Sequence, residues 1–153
     1  MKTILTCTFL VALCASPVSA WSEDKVLDEL LAKERAAMDG WRNGDPDNLL
    51  STLDPGITYF HAVTSKRLEG IAAVKALCEQ YRGRPLFDGY EITEPMVQIT
   101  GEVAVLTYQF STRNGSATSY WNTTQVYKRT KEGWRVLHTH WSKVEPAPVP
   151  PGR

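Results

Sequence analysis

The hydrophobic pattern changes period once along the chain, helical first and strand-like after. Between residues 23 and 42, Leu27, Leu30, Leu31, Ala37, Met38 and Trp41 recur at three- and four-residue steps, while Glu29, Lys33, Glu34 and Arg35 fall mostly elsewhere. That spacing predicts an amphipathic helix with one buried face. Asn43-Gly44 stops it. Asp45-Pro46 then starts a shorter helix, an N-cap side chain followed by proline, which carries Leu49, Leu50 and Leu53 and ends before Asp54-Pro55-Gly56. Ile57 to Ala62 reads as a short strand. Ile71 to Tyr81 returns to helical spacing, with Ile71, Val74, Leu77, Cys78 and Tyr81 on one side.

From Tyr90 onward the pattern is that of strands. Tyr90–Ile99, Glu102–Thr112, Ser116–Arg129 and Trp134–Val144 are rich in Val, Ile, Thr, Tyr and Trp. Thr100-Gly101, Asn114-Gly115 and Lys131-Glu132-Gly133 between them are hairpin turn chemistry. Helices followed by a meander of long antiparallel strands is an α+β arrangement, not the alternation of a parallel sheet.

Composition places this pattern in one folded domain. The chain has 153 residues, 42% of them hydrophobic, and 17 basic against 17 acidic side chains. A zero net charge gives no electrostatic case for nucleic acid or for an anionic membrane surface. The first twenty residues have a different logic. Lys2, the mostly apolar stretch Ile4–Ala15 and the small residues Val18-Ser19-Ala20 predict a signal peptide over 1–20, cleaved after Ala20, and hence a secreted or periplasmic protein. Residues 21–145 form the expected domain. The proline-rich 146–153 is an expected loose tail with no second domain. Cleavage removes Cys7 and Cys14 and leaves Cys78, which reads as a small buried hydrophobe in its helix. After cleavage no membrane segment is expected. Asn114-Gly115-Ser116 and Asn122-Thr123-Thr124 match the glycosylation triplet, which bears on the protein only in a eukaryotic source.

The element order and three local segments resemble the nuclear-transport-factor-2-like superfamily, in its SnoaL-like and kinase-association branches. Ile57-Thr58-Tyr59-Phe60 followed by Leu68-Glu69-Gly70 is similar to the segment joining strand and helix there. Pro95-x-Val97-x-Ile99-x-Gly101-Glu102-x-Ala104 resembles a hairpin of the association domain of calcium/calmodulin-dependent protein kinase. Thr124-Gln125-Val126-Tyr127 and the run from Gly133 to Ser142 resemble its last two strands. The resemblance implies a cone-shaped barrel: a strongly curved antiparallel sheet wrapped round the N-terminal helices, with a pocket at its open end. It also implies homodimers, or larger rings, through the convex sheet face. Functions in the superfamily range over isomerases, dehydratases, ligand-binding modules and assembly domains, so the fold transfers and the function does not. The kinase association domains have pocket arginines where alignment here puts Gln125 and Ser111, which argues against an acidic ligand. The Asp pair with Tyr of steroid isomerases is not found either; Glu94 and Asp88 lie in that region, where a solvated edge is the reading.

Strand alternation picks the candidate site. On the last strand Trp134, Val136, His138, His140 and Ser142 share one face, and Arg135, Leu137, Thr139, Trp141 and Lys143 the other. The charged members of the second set suit the outside, so the histidine face is expected in the pocket. His138 or His140 then reads as a general acid or base, with Tyr59 bonding a substrate oxygen. Tyr59, His61, Trp121, Thr123, Gln125 and Trp134 read as ligand-binding residues. The competing reading makes a histidine a satisfied structural residue bonded to a Tyr or Thr hydroxyl. No cofactor is expected. His61, His138 and His140 could together form a metal site, but no nearby acidic or cysteine pattern completes it. The expectation is an exported domain that binds a small molecule, with a cofactor-free enzyme or an assembly domain as alternatives.

Overall fold

A computed structural model describes residues 22–145, so the expected leader at 1–20 and the tail at 146–153 lie outside the described residues. Helix α1 (Glu23–Arg42) begins where the sequence placed it. The Ser22 side chain accepts from the Lys25 N–H at 3.4 Å, and Glu23 and Asp24 sit in the first turn, where the helix dipole favours acid. Helix α2 (Asp47–Thr52) is preceded by an Asx turn, the Asp47 N–H donating to the Asp45 carboxylate at 2.9 Å. Strand β1 (Leu53–His61) starts earlier than expected and runs through Asp54-Pro55-Gly56. It tolerates Pro55 because its register with its neighbour is irregular between Leu53 and Thr58, where no ladder bond is owed. A two-residue strand β2 (Leu68–Glu69), too short to show alternation, precedes helix α3 (Ile71–Glu79). The meander follows as β3 (Gly89–Thr100), β4 (Val103–Asn114), β5 (Ala117–Thr130) and β6 (Gly133–Val144).

Among the described residues six strands form one strongly curved, unclosed sheet in the order β2-β1-β6-β5-β4-β3, the expected cone around the helices. It is not antiparallel throughout. β1 lies parallel to β6, because these two are joined by the whole length of the meander and not by a hairpin. The β5–β6 ladder carries a bulge: Tyr127 pairs with Val136, but Val126 pairs with His138, leaving Leu137 extra. A single extra residue inverts the alternation beyond it. Trp134, Val136, Thr139 and Trp141 are therefore all buried on the helix-facing side.

Helix α1 packs a stripe of Val26, Leu30, Glu34, Ala37, Met38 and Trp41 onto that concave face. Glu34 is the exception in an apolar set, 3% exposed. Its carboxylate accepts from the Tyr108 hydroxyl at 2.7 Å, from the Tyr127 hydroxyl in a short contact, and from the Gln125 side-chain amide at 3.4 Å. Hydrogen bonds to a charged group contribute about 1.5–3 kcal/mol each. Stripping water from a carboxylate costs several kcal/mol. Burial wins, and the Glu34 carboxyl is held above its ordinary value of 4.5 despite the three donors.

The sign of the pH effect follows. A carboxyl whose folded pKa lies above its unfolded one binds more protons in the folded state, so stability falls as pH rises through the folded value. Urea unfolding of the protein should give a free energy that declines as pH rises above the ordinary carboxyl value of 4.5. Glu34→Gln, which cannot ionise, should lack that decline. Parallel pH profiles for the two proteins would place the titration on another group.

Candidate functional site

The helices cover the concave face incompletely, and the space left over is a cavity of about 280 Å³. Met38 and Trp41 of α1, Leu49 of α2, and Leu77, Cys78 and Tyr81 from α3 and its end form one side. Leu53, Tyr59, His61, Phe110, Thr112, Trp121, Gln125, Val136, Thr139 and Trp141 form the sheet side, one inward residue from each pleat. Val63, Leu86 and Phe87 complete it from the loops. Val63 at 59% exposure and Leu86 at 37% mark the mouth, whereas Gln125 and Thr139, both 2% exposed, mark the floor.

The wall beside the mouth is aromatic. The His61 ring stacks on Tyr59 with centroids 5.8 Å apart, lies 5.3 Å from Trp121 and 6.5 Å from Trp141. Phe110 meets Trp141 edge-on at 5.2 Å. Burial lowers the His61 pKa, which favours the neutral ring. Its Nδ1 accepts the Val63 N–H at 3.2 Å, so in the neutral ring Nε2 carries the proton and acts as a donor. The Tyr59 hydroxyl has no hydrogen bond to another described residue. Burial, then the neighbouring Cys78 and Tyr81, hold its hydroxyl well above the usual tyrosine range. Cys78 is buried, and burial pushes its thiol up to about 11, with Glu79 adding to the shift and Arg82 opposing it. It is the packed small hydrophobe the sequence suggested, not a thiolate nucleophile.

Of the residues singled out from the sequence, Tyr59, His61, Trp121 and Gln125 meet at this cavity. Thr123 and Trp134 share its sheet face but are buried in the core, Trp134 beneath the Arg129 guanidinium at 5.2 Å. His138 and His140 are not in the pocket. The Leu137 bulge turns both onto the convex face, which corrects the alternation reading made without it. There His138 Nδ1 shares a 2.8 Å hydrogen bond with Thr58 Oγ1, and Phe60 packs within 6.0 Å of His138 and 5.7 Å of His140. Burial first, then the positive field of His140 and Arg67, lowers the His138 pKa. Tyr59 accordingly pairs with neither of them, and His61, His138 and His140 cannot converge on one ion. Among the described residues no group of three His, Cys, Asp or Glu side chains is placed to hold a metal.

Other expectations fall differently. Ser111 lies on the convex side, opposite its neighbour Thr112, which lines the cavity. The Asp88 carboxylate accepts the Gly115 N–H at 2.6 Å and braces the β4–β5 turn. Glu94, at φ 49° beside the β3 bulge, is exposed. Sequence reasoning missed Glu34, although its position was visible: it is four residues after Leu30 and four before Met38, squarely in the buried stripe.

Comparison with known proteins agrees with this architecture. No curated protein matches the chain by sequence. A candidate ketosteroid isomerase from Parabacteroides distasonis superposes with a TM-score of 0.70 at 24% identity, over 79% of this chain and 89% of that one. The CaMKII hub of S. rosetta gives a TM-score of 0.62 at 22% identity, over 76% and 95%. A candidate dehydratase of the NTF2-like family from Streptomyces avermitilis gives 0.62 at 20% identity, over 82% and 100%. Similarity at this level speaks for the fold alone. The description of the SnoaL-like domain matches residues 34–147, from the buried glutamate of α1 through the last strand, and the chain belongs to that family within the NTF2-like superfamily.

Proposed function

We propose that this protein is an exported binding domain that holds a small, neutral, largely apolar molecule in the cavity at the open end of its cone. The observation that carries the reading is the cavity itself: about 280 Å³, walled by aromatic and aliphatic side chains, with few polar groups inside. A dry apolar cavity of about 150 Å³ is enough for benzene, so roughly two fused rings suit this one. Export rests on the leader reading of residues 1–20 and directs attention to envelope or environmental molecules. An enzyme of the same shape would need a base at the cavity. Two polar groups of the wall, the Tyr59 hydroxyl and His61 Nε2–H, can both donate, which suits holding a ligand oxygen better than removing a proton.

Trp41, Trp121 and Trp141 line the cavity and report on its contents. Titration with naphthalene should quench tryptophan fluorescence saturably. Trp121→Ala, which removes one wall, should weaken binding several-fold, by about 1 kcal/mol. Native mass spectrometry of protein taken from the exported fraction should show a mass above that of the denatured chains. No saturable response to naphthalene, together with no excess mass, would sink the binding reading.

The convex face supports dimerisation. Phe60, Met96 and Tyr120 are 39%, 54% and 55% exposed there, among His140, Thr124, Ser142 and Gln109. Exposed aromatic residues and methionine are the residue types enriched in interface cores. The similarity to a kinase hub supports the same reading. Light scattering should give the mass of two chains for the native protein and one chain for Phe60→Glu. A native monomer would remove the dimer from the proposal.

A further inference from the structure

Beneath the apolar walls, two residues of the cavity floor each carry a buried polar atom short of a partner. Gln125 Oε1 and Thr139 Oγ1 are buried and have no hydrogen bond among the described residues. Both side chains are 2% exposed and both line the cavity. A buried oxygen left without a partner costs about 1–3 kcal/mol, so such atoms are rarely left so without purpose. The two are also neighbours. Gln125 on β5 is paired in register with Thr139 on β6, and directly opposed residues place their Cβ atoms about 5 Å apart on one face.

Their chemistry differs in a useful way. Gln125 Oε1 can only accept. The amide cannot readily turn over to offer its N–H₂ to the cavity, because its Nε2 donates to Glu34 Oε2 at 3.4 Å. That same oxygen also accepts from the Tyr108 hydroxyl at 2.7 Å, so the Glu34 carboxyl holds the amide with its Nε2 toward α1. Glu34 thus acts as a positioning residue for the amide. Thr139 Oγ1 has a hydrogen to give as well as lone pairs. A single group that donates to one and accepts from the other satisfies both atoms. A hydroxyl does this, whereas a ketone or an ether oxygen can serve only Thr139, and a carboxylate would face the Gln125 oxygen with a like partial charge.

The geometry points to a ligand class: a neutral alcohol or phenol on an apolar body of about two fused rings, bound hydroxyl-first against Gln125 Oε1 and Thr139 Oγ1. This rests on the binding reading of the cavity and sharpens it from an apolar molecule to a hydroxylated one. It also fixes the direction of the ligand, hydroxyl inward and hydrocarbon toward Tyr59, His61 and Val63.

The test compares 2-naphthol, naphthalene and 2-methoxynaphthalene by the same tryptophan titration. Binding of 2-naphthol should be about tenfold tighter than that of either relative, which lacks the donor. Thr139→Val removes the hydroxyl without opening a void. It should cancel most of that preference, read as the ratio of 2-naphthol to naphthalene affinity within the one variant. Thr139→Ser, which keeps the hydroxyl, should retain the preference. If naphthalene binds but 2-naphthol binds no tighter, or if Thr139→Val weakens both alike, the hydroxyl assignment is overturned while the cavity remains a binding site. If none of the three binds, the binding reading fails and carries this inference with it.

Discussion

A carboxyl group buried at the centre of the helix–sheet interface sets the terms for everything around it. Glu34 projects from the middle of the buried stripe of α1, and desolvation makes it tolerable only where donors meet it. Tyr108 on β4, Tyr127 and Gln125 on β5 supply them. These contacts fix the rotation and height of α1 against the sheet more narrowly than interchangeable aliphatic packing does. The rest of the stripe then divides around that point. Val26 and Leu30, both fully buried, fill one end of the cone, whereas Met38 and Trp41, one and two turns further, come to lie at the cavity. The open end of the cone is therefore registered to the same residue that pins its centre.

The cavity that results is electrically quiet for a consistent reason. Burial raises Glu34 beneath the floor, raises Tyr59 and Cys78 in the wall, and lowers His61 beside the mouth. Each shift favours the uncharged form. Such a site gives up affinity for ions and gains it for molecules whose few polar atoms fit the donors and acceptors already in place. What polarity the cavity has is carried by neutral groups: the Tyr59 hydroxyl and His61 in the wall, and Gln125 and Thr139 on the floor.

Much of the fold was legible because its elements obey local rules. The limits of α1 follow from its cap and its periodicity, and the three hairpins of the meander follow from Thr100-Gly101, Asn114-Gly115 and Gly133. What escaped was set by pairing across the sheet. The entry of β1 through Pro55 depends on a break in its register with β6, and the parallel β1–β6 pairing depends on elements eighty residues apart. Glu34 escaped for a different reason. Its residue type argued for solvent and its position argued for the core, and position decided, because Tyr108 and Tyr127 waited on strands that a helix pattern cannot report.

The last strand shows how one residue divides a legible face from an illegible site. Trp134-x-Val136 and Thr139-x-Trp141 each alternate, but Val136-Leu137 are adjacent apolar residues, and counting straight through them carries the phase of the first pair onto the histidines. Either phase is sound by composition alone. The choice is made by β5, whose inward Thr123 and Gln125 pair with Trp141 and Thr139 once Leu137 is allowed to bulge. The displacement has two effects at once. It sends His138 and His140 to the convex face beside Phe60. It also brings Thr139 beside Gln125 on the cavity floor, so the bulge that removes the imidazoles from the site is the feature that assembles its polar pair.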